Sequence, residues 1–498
     1  MTYRATPFGP ELLRELLLRL KDPATQRPRF GNAQFGEAQF THADFEGATF
    51  TGEASFHDTK FDHANFQGAE FAGSAAFFDV KFGWASFQGA VFSAQVNFAK
   101  AEFADETWFT QASFGTAIFQ RAKFRGRWTG FKDASFTGLA LFEEAVFAAD
   151  VNFTGVAFTA GADLNRAVFE AARTIGPLRC EGDLVLSGTV FGQPVTIEVT
   201  GAQMLCRRTR WDSTATLILS NAGIDITDAI LNQPVAVLAR PAAVARVDSV
   251  RGVNAEHLVL TGVDLSRCVF SGAFNLDQLR LEGRCAFAAT PTGVGWWRGV
   301  LPYRWTRRQA LAEEHHWRAL QGKNPAPPEG WTPRPDHPGP VPTPGPDLIA
   351  ANYRQLRKAF EDRRNEPDSA DFYYGEMEMR RHDRQGRTRR AERGLLWAYW
   401  LLSGYGLRAS RALAWLVLAM TATVFALMLW GLPAPSTTPL ITGPRAEQAI
   451  RTALNSVIFR SAGSRLSTAG TYIEMASRLL EPILLALAVL AVRSRVKR

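Results

Sequence analysis

A mainly β fold is predicted, a four-sided parallel β-solenoid followed by an α-helical C-terminal region with transmembrane helices, and three observations predict it. Phenylalanine recurs at five- or six-residue steps, with one of seven from Phe124 to Phe131, between Phe30 and Phe169. A stretch holding ten prolines, residues 325–346, interrupts the chain. Beyond it lies an uncharged apolar run of 21 residues, 412–432.

The phenylalanine register carries most of the information. Phe30, Phe35, Phe40, Phe45 and Phe50 stand five apart, and the pattern restarts after a six-residue step at Phe56, Phe61, Phe66 and Phe71. Another such step leads to Phe77, Phe82, Phe87 and Phe92, and the series runs on to Phe169. Of its 27 centres only Leu164 is not Phe. A five-residue period fits neither the 3.6 of a helix nor the 2 of a flat strand, so the chain must turn a corner at every repeat. Four short strands then make a square coil of about twenty residues, and coils stack at the ~4.8 Å spacing of neighbouring strands. Small residues two positions earlier, such as Ala33, Ala38, Ala43, Ala48 and Ala64, also point inward, because a square core has no room for two large groups per side. Polar residues and glycine mark corners at Glu46-Gly47, Gln67-Gly68 and Gln88-Gly89. The 21-residue spacings imply one bulge per coil on one edge, and more after Phe136, where six- and five-residue steps alternate.

The motifs Ala43-Asp44-Phe45, Ala64-Asn65-Phe66 and Ala162-Asp163-Leu164 resemble those of the pentapeptide-repeat family. The resemblance implies a right-handed quadrilateral β-helix with Phe in place of the commoner central Leu. It covers about 140 residues strongly, from Phe30 to Phe169. Its core positions include Phe35, Phe40, Phe45, Phe50, Phe56, Phe61, Phe66, Phe71, Phe82, Phe87 and Phe92.

In chain order, residues 1–29 are expected to cap the first coil with an amphipathic helix over 11–20, and 30–175 to form the regular solenoid. Residues 176–290 continue it in degenerate form, since Leu260, Leu265, Phe270, Leu276 and Leu281 recover the spacing. A helical connector is expected at 291–324, a polyproline-type spacer at 325–346 and a helical hairpin at 347–395, similar to a tetratricopeptide pair. Within the hairpin, Glu376, Glu378 and His382 are read as a solvated helix face. A membrane domain fills 396–498, with one crossing at 412–432 and a second at 473–492. Between them, AEQAIRTALNSVIF (446–459) is amphipathic.

Charge assigns sidedness. The formal net charge is +8, yet residues 30–175 carry ten basic and seventeen acidic groups, a net −7. Residues 380–411 hold nine arginines against Asp383 and Glu392. The flanking basic residues Arg380, Arg381, Arg389, Arg390, Arg393, Arg493, Arg495, Lys497 and Arg498 place solenoid and C-terminus on the cytoplasmic side of the cell membrane.

Four dispersed cysteines, with no C-x-x-C pair, read as reduced core residues. No phosphate-binding loop, dinucleotide fingerprint, H-E-x-x-H or nucleophile elbow occurs, so no enzyme, cofactor or metal is expected. His42, His57 and His63 fall near corners and read as solvated. The expected partners are the lipid bilayer and an unidentified protein held by a membrane-anchored scaffold. A channel or transport assembly, a homo-oligomer of the two-helix segment, is an alternative, but only LSTAGTY at 466–472 stands where a selectivity filter would be. Some members of the resembled family mimic DNA and shield gyrase. Seventeen acids in 146 residues are sparse for that role, and nucleic acid itself is not an expected partner.

Overall fold

The computed structural model describes residues 3–297, 301–321, 330–333, 343–363, 365–383, 390–433, 442–458 and 466–496. Two units divide it, Met1–Thr343 and Pro344–Arg498.

The first unit is a parallel β-solenoid of about twelve turns. Its strands form sheets of 14, 13 and 11 members, each running along the stack of coils. From Phe30 to Phe153 a coil has four sides, and every central Phe points inward, none more than 3% exposed. Rings in successive coils stack face to face: in the Phe30, Phe50, Phe71, Phe92, Phe114, Phe136 and Phe158 column the centroids lie 4.6–5.2 Å apart. Between columns the rings meet edge to face, as in Phe77–Phe87 at 5.6 Å and 83°. Both arrangements suit the aromatic quadrupole. At three inner positions a threonine hydroxyl reaches back to the coil before: Thr59 Oγ1 donates to the Phe35 carbonyl at 2.9 Å, Thr189 Oγ1 to that of Leu164 at 2.9 Å and Thr209 Oγ1 to that of Leu186 at 2.7 Å.

Two corners of each square coil are tight turns with one left-handed residue. One uses glycine in the first coils, at Gly47, Gly68 and Gly89 (φ +60, +61 and +63), where a side chain would strain the backbone. The other tolerates Glu37, Asp58, Asp79 and Lys100 at φ 54–62. A third corner changes along the stack. Gln39–Asp44, Lys60–Asn65 and Lys81–Ser86 run through it as six-residue strands. After the six-residue step Phe103 to Phe109, the next coil has two separate strands, Glu102–Phe103 and Thr107–Trp108. The inserted residue therefore breaks the strand two coils before the Phe147-to-Phe153 step, the place on this corner where the extra residues after Phe136 were expected to act.

The stretch 176–290 is a solenoid of a different cross-section. The fourth side ends at Val151–Asn152, and the seven-residue strand Thr174–Cys180 then spans what had been two sides. Later coils have three strands, such as Val195–Thr200, Gln203–Leu205 and Arg210–Trp211. Ile175, Ile197, Leu217, Val237 and Leu260 take over from rings, and one aromatic column persists through Phe169, Phe191 and Trp211. At the change of shape, Phe153, Phe158, Leu164 and Leu178 help enclose a cavity of only ≈ 20 Å³.

Both ends are closed. Before the first full coil, Phe8 pairs its strand with Phe40 and stacks on that ring at 4.7 Å, and Tyr3 stacks on Phe35 at 5.2 Å. Helix α1 (Pro10–Arg19) adds buried Leu13. The core thus starts at Phe8 rather than at residue 30. At the far end, the predicted helical connector 291–324 is corrected. Gly293–Trp297 and Leu301–Trp305 are antiparallel strands, Gln309–Ala310 pairs with Ala288–Ala289, and among the described residues only α2 (Ala312–Gln321) is helical.

The second unit contains α3 (Pro346–Asp362), α4 (Glu366–His382), α5 (Arg390–Ser403), α6 (Ala409–Ala426, continued by a π-turn over Leu427–Gly431), α7 (Gly443–Ile458) and α8 (Thr468–Val496). The hairpin is α3 and α4, and α5 straddles the boundary expected at 395/396. Tyr353 and Phe360 meet Phe372 edge to face across the hairpin, at 5.4 and 4.9 Å. Helix α8 begins five residues before 473 and carries Pro482 without breaking. Most of the proline-rich segment, 325–346, lies outside the described residues.

Candidate functional site

Three places concentrate polar chemistry: the outer faces of the solenoid, its closed far end, and the arginine-rich part of the helical unit.

Outward positions form ladders at coil spacing. His42 stacks on His63 at 4.7 Å, and both are exposed. Ion pairs run from coil to coil, such as Lys123–Glu102 at 2.9 Å and Arg121–Glu144 at 2.7 Å, with Arg166 3.6 Å from Glu144. Solvated pairs of this kind contribute little to stability and define the charge pattern a partner meets. A shallow surface groove of ≈ 420 Å³ crosses Gly182 and Gly201 at turns and Gly223 in the strand Ala222–Asp225. At its edge, Arg246 Nε donates to Asp248 at 2.6 Å and Gln203 Nε2 to the same carboxylate at 2.7 Å.

At the far end, Glu313 does work that backbone does elsewhere. Along one ladder the N–H of Cys206 donates to the Asp225 carbonyl, that of Ile226 to Ser249, and that of Val250 to Val269, each in the next coil. Phe270 is next in line, and its N–H donates 2.6 Å to Glu313 Oε1. The Ser271 N–H and Oγ donate to the same oxygen at 2.9 and 3.2 Å. Burial pushes the carboxyl above the usual carboxylate range and outweighs the opposing pull of these hydrogen bonds. Beside it, Arg308 Nη2 binds both oxygens of Glu314 at 2.6 Å, and Arg318 Nε donates to Oε1 at 2.8 Å. Glu314 and Arg308 are buried, Arg318 nearly so, and every charge in the triad is paired, as burial requires.

The cysteines are free; Cys180, Cys206 and Cys268 are buried and Cys285 is partly exposed. Burial raises the Cys180 thiol to about 11 and moves those of Cys206 and Cys268 upward too, so the inert neutral form prevails at pH 7. Among the described residues no group of three or more His, Cys, Asp or Glu is placed to hold a metal.

In the helical unit the solvated reading of Glu376 and Glu378 is overturned, for they are 2% and 3% exposed. Arg354 Nε donates to Glu376 at 2.9 Å, and Arg357 and Arg380 flank it at 3.5 and 3.8 Å. Glu378 accepts from Arg381 at 2.6 Å and from the Tyr405 hydroxyl at 3.2 Å. Arg381 and Arg411 lie against the Trp400 ring at 4.4 and 4.9 Å. Their immediate neighbours are Gly375, Met377 and Met379, followed by two arginines, a pattern that does not signal that the carboxylates face a packed helix. Among the flanking arginines, Arg380 also pairs with Glu392, Arg393 donates to the Asp383 carbonyl at 3.4 Å, and Arg390 is exposed. Arg389, Lys497 and Arg498 lie outside the described residues, as do the side chains of Arg493 and Arg495.

Two helical segments, Ala409–Gly431 and Thr468–Val492, are long and apolar enough to cross a membrane. Only 22% and 28% of their most apolar windows is buried, unlike the core helix of a soluble protein. They pack closely at one end: a Cβ on Gly470 would stand 2.4 Å from the Gly431 carbonyl oxygen. Along the pair, Thr423 Oγ1 donates to Glu481 at 2.7 Å.

Family models described as pentapeptide repeats match residues 28–52 and 87–135. Both segments fall in the four-sided part. No curated protein and no solved structure matches the chain.

Proposed function

Given that this chain is a pentapeptide-repeat protein, we propose that it is a non-enzymatic, membrane-anchored scaffold whose solenoid presents its outer faces to a protein partner. One observation carries this reading. The inward positions from Phe8 to Leu279 are filled by packed rings and aliphatic groups with a few threonines and cysteines among them, so the unit offers partners its outside and no interior chamber. A stack of coils held by inter-coil hydrogen bonds loses little freedom when a partner docks, which lowers the ordering cost of binding. The two apolar helices supply the tether, and the nine arginines of 380–411 favour a cytoplasmic position for the solenoid.

Proximity labelling in cells from an enzyme fused at residue 1 tests it. The expected result is a reproducible set of cytoplasmic proteins absent from a control carrying only residues 396–498 on the same label. Labelling from the opposite side of the membrane, or a set identical to the control, overturns the scaffold reading. Current through bilayers containing the purified protein would transfer support to the channel reading.

A further inference from the structure

Helix α5 has two apolar sides and only one of them is covered. Leu396, Trp400 and Ser403 are buried, with Trp400 Nε1 donating to the Tyr374 hydroxyl at 3.2 Å. On the other side, Leu395 is 72%, Trp397 47% and Leu401 37% exposed, with Ala398 exposed between them. Large exposed side chains on one short helix mark an interaction surface.

What covers that surface follows from what α5 joins. Trp415 Nε1, in the second turn of α6, donates to the Leu401 carbonyl at 3.0 Å, and Arg411 Nη1 donates to the Trp400 carbonyl at 3.0 Å. The last turn of α5 is therefore stapled beside the first turns of α6, where the segment Ala409–Gly431 begins. Gly404, Tyr405 and Gly406 all have positive φ, 55, 59 and 74, so α5 does not continue along the axis of α6. Residues 390–411 contain four arginines and one glutamate, a net +3. A helix with an exposed apolar face bearing tryptophan, in a segment with surplus arginine at both of its ends and beside the entry point of a membrane span, has the composition of one lying in the interface of an anionic leaflet.

We propose that α5 is an in-plane interfacial helix, its exposed face set into the outer acyl region of a phospholipid leaflet rich in anionic headgroups. Through Trp400 and Tyr405 it would hold the α3–α4 hairpin to the membrane surface. The proposal rests on the membrane-anchored reading above.

The full chain, reconstituted into vesicles, tests it. Ala398→Cys and Leu418→Cys, each in a Cys285→Ala background, carry an environment-sensitive fluorophore, and nitroxide lipids quench it from a shallow or a deep acyl position. Leu401→Cys is the second α5 site in case Ala398→Cys does not fold. The label at 398 is expected to be quenched at least twofold more by shallow than by deep nitroxide, and that at 418 to show the reverse. Replacing a third of the phosphatidylcholine by phosphatidylglycerol should at least double the shallow quenching at 398. A label at 398 that stays in water while 418 is deep overturns this proposal and leaves the anchor standing. If neither is quenched, the anchor reading itself fails. Deep quenching at 398 would make α5 part of a span, and equal quenching in both vesicle types would remove the anionic leaflet; either overturns the proposal.

Discussion

The two halves of the solenoid build the same stack by different means. Up to Phe153 each coil is square, its interior packed with stacked rings, and its open end is closed by two more, Phe8 and Tyr3. Beyond Thr174 the coils are three-sided and mostly aliphatic, and at the end a carboxylate takes two amides that a further coil would. Cross-section thus follows from what must be enclosed. Four rings per coil need a square, and branched aliphatics on strands of five or six residues fill a triangle with one side fewer.

Single substitutions can break this contrast or sharpen it, read coil by coil as amide hydrogen exchange on the detergent-solubilised chain. The largest expected effect is Phe98→Ala, which removes a ring stacked at 4.9 Å on both Phe77 and Phe119. Such truncations cost about 4 kcal/mol. Leu217→Ala in the triangular part should cost about 3 kcal/mol. In a stack, each loss should stay centred on its own and neighbouring coils; uniform loss along the whole solenoid would show that the halves are one cooperative block.

The closed ends should differ next. Glu313→Ala leaves the Phe270 and Ser271 amides without their acceptor, at about 2 kcal/mol, and protection should drop near Phe270 while the coils around Phe45 keep theirs. Because burial raises the Glu313 carboxyl above its unfolded value, the folded end binds its proton more readily than the unfolded chain does. Its stability should be greatest below about pH 4.3, the unfolded value, and decline as pH rises toward the folded value. Glu313→Gln should flatten that slope, and the ring-closed end should show none at this site. A slope that survives Glu313→Gln would assign it to another group.

The smallest effect expected is at a corner. Gly89→Ala places a side chain at φ +63 and should cost about 1 kcal/mol. Lys100→Gly, at φ 57 in the other corner, should be neutral or slightly stabilising by the same logic. Thermal unfolding of the two variants side by side decides it.

The square half was legible because a large ring at a fixed period leaves one geometric solution. Its start was missed: Phe8 stands 22 residues before Phe30, outside the five-residue register, with α1 between. The triangular half blurred because Val195, Ile197 and Val199 alternate as in any ordinary strand, so pattern alone does not report the turn. Glu313 and Glu314 look like the polar face of a helix. The only local hint was Ala310-Leu311-Ala312 just before them, with Arg308 and Arg318 on either side. Glu376 and Glu378 were hidden for the same reason, since burial of a charge depends on partners distant in sequence.

A stack of identical turns has no inherent reason to stop, and its last row of amides is a template for another molecule's first. Glu313 removes part of that invitation by taking the Phe270 and Ser271 amides with a side chain that has no strand behind it. Polymer-like end-to-end association, the hazard of every such architecture, is thereby blunted at the price of a single buried acid.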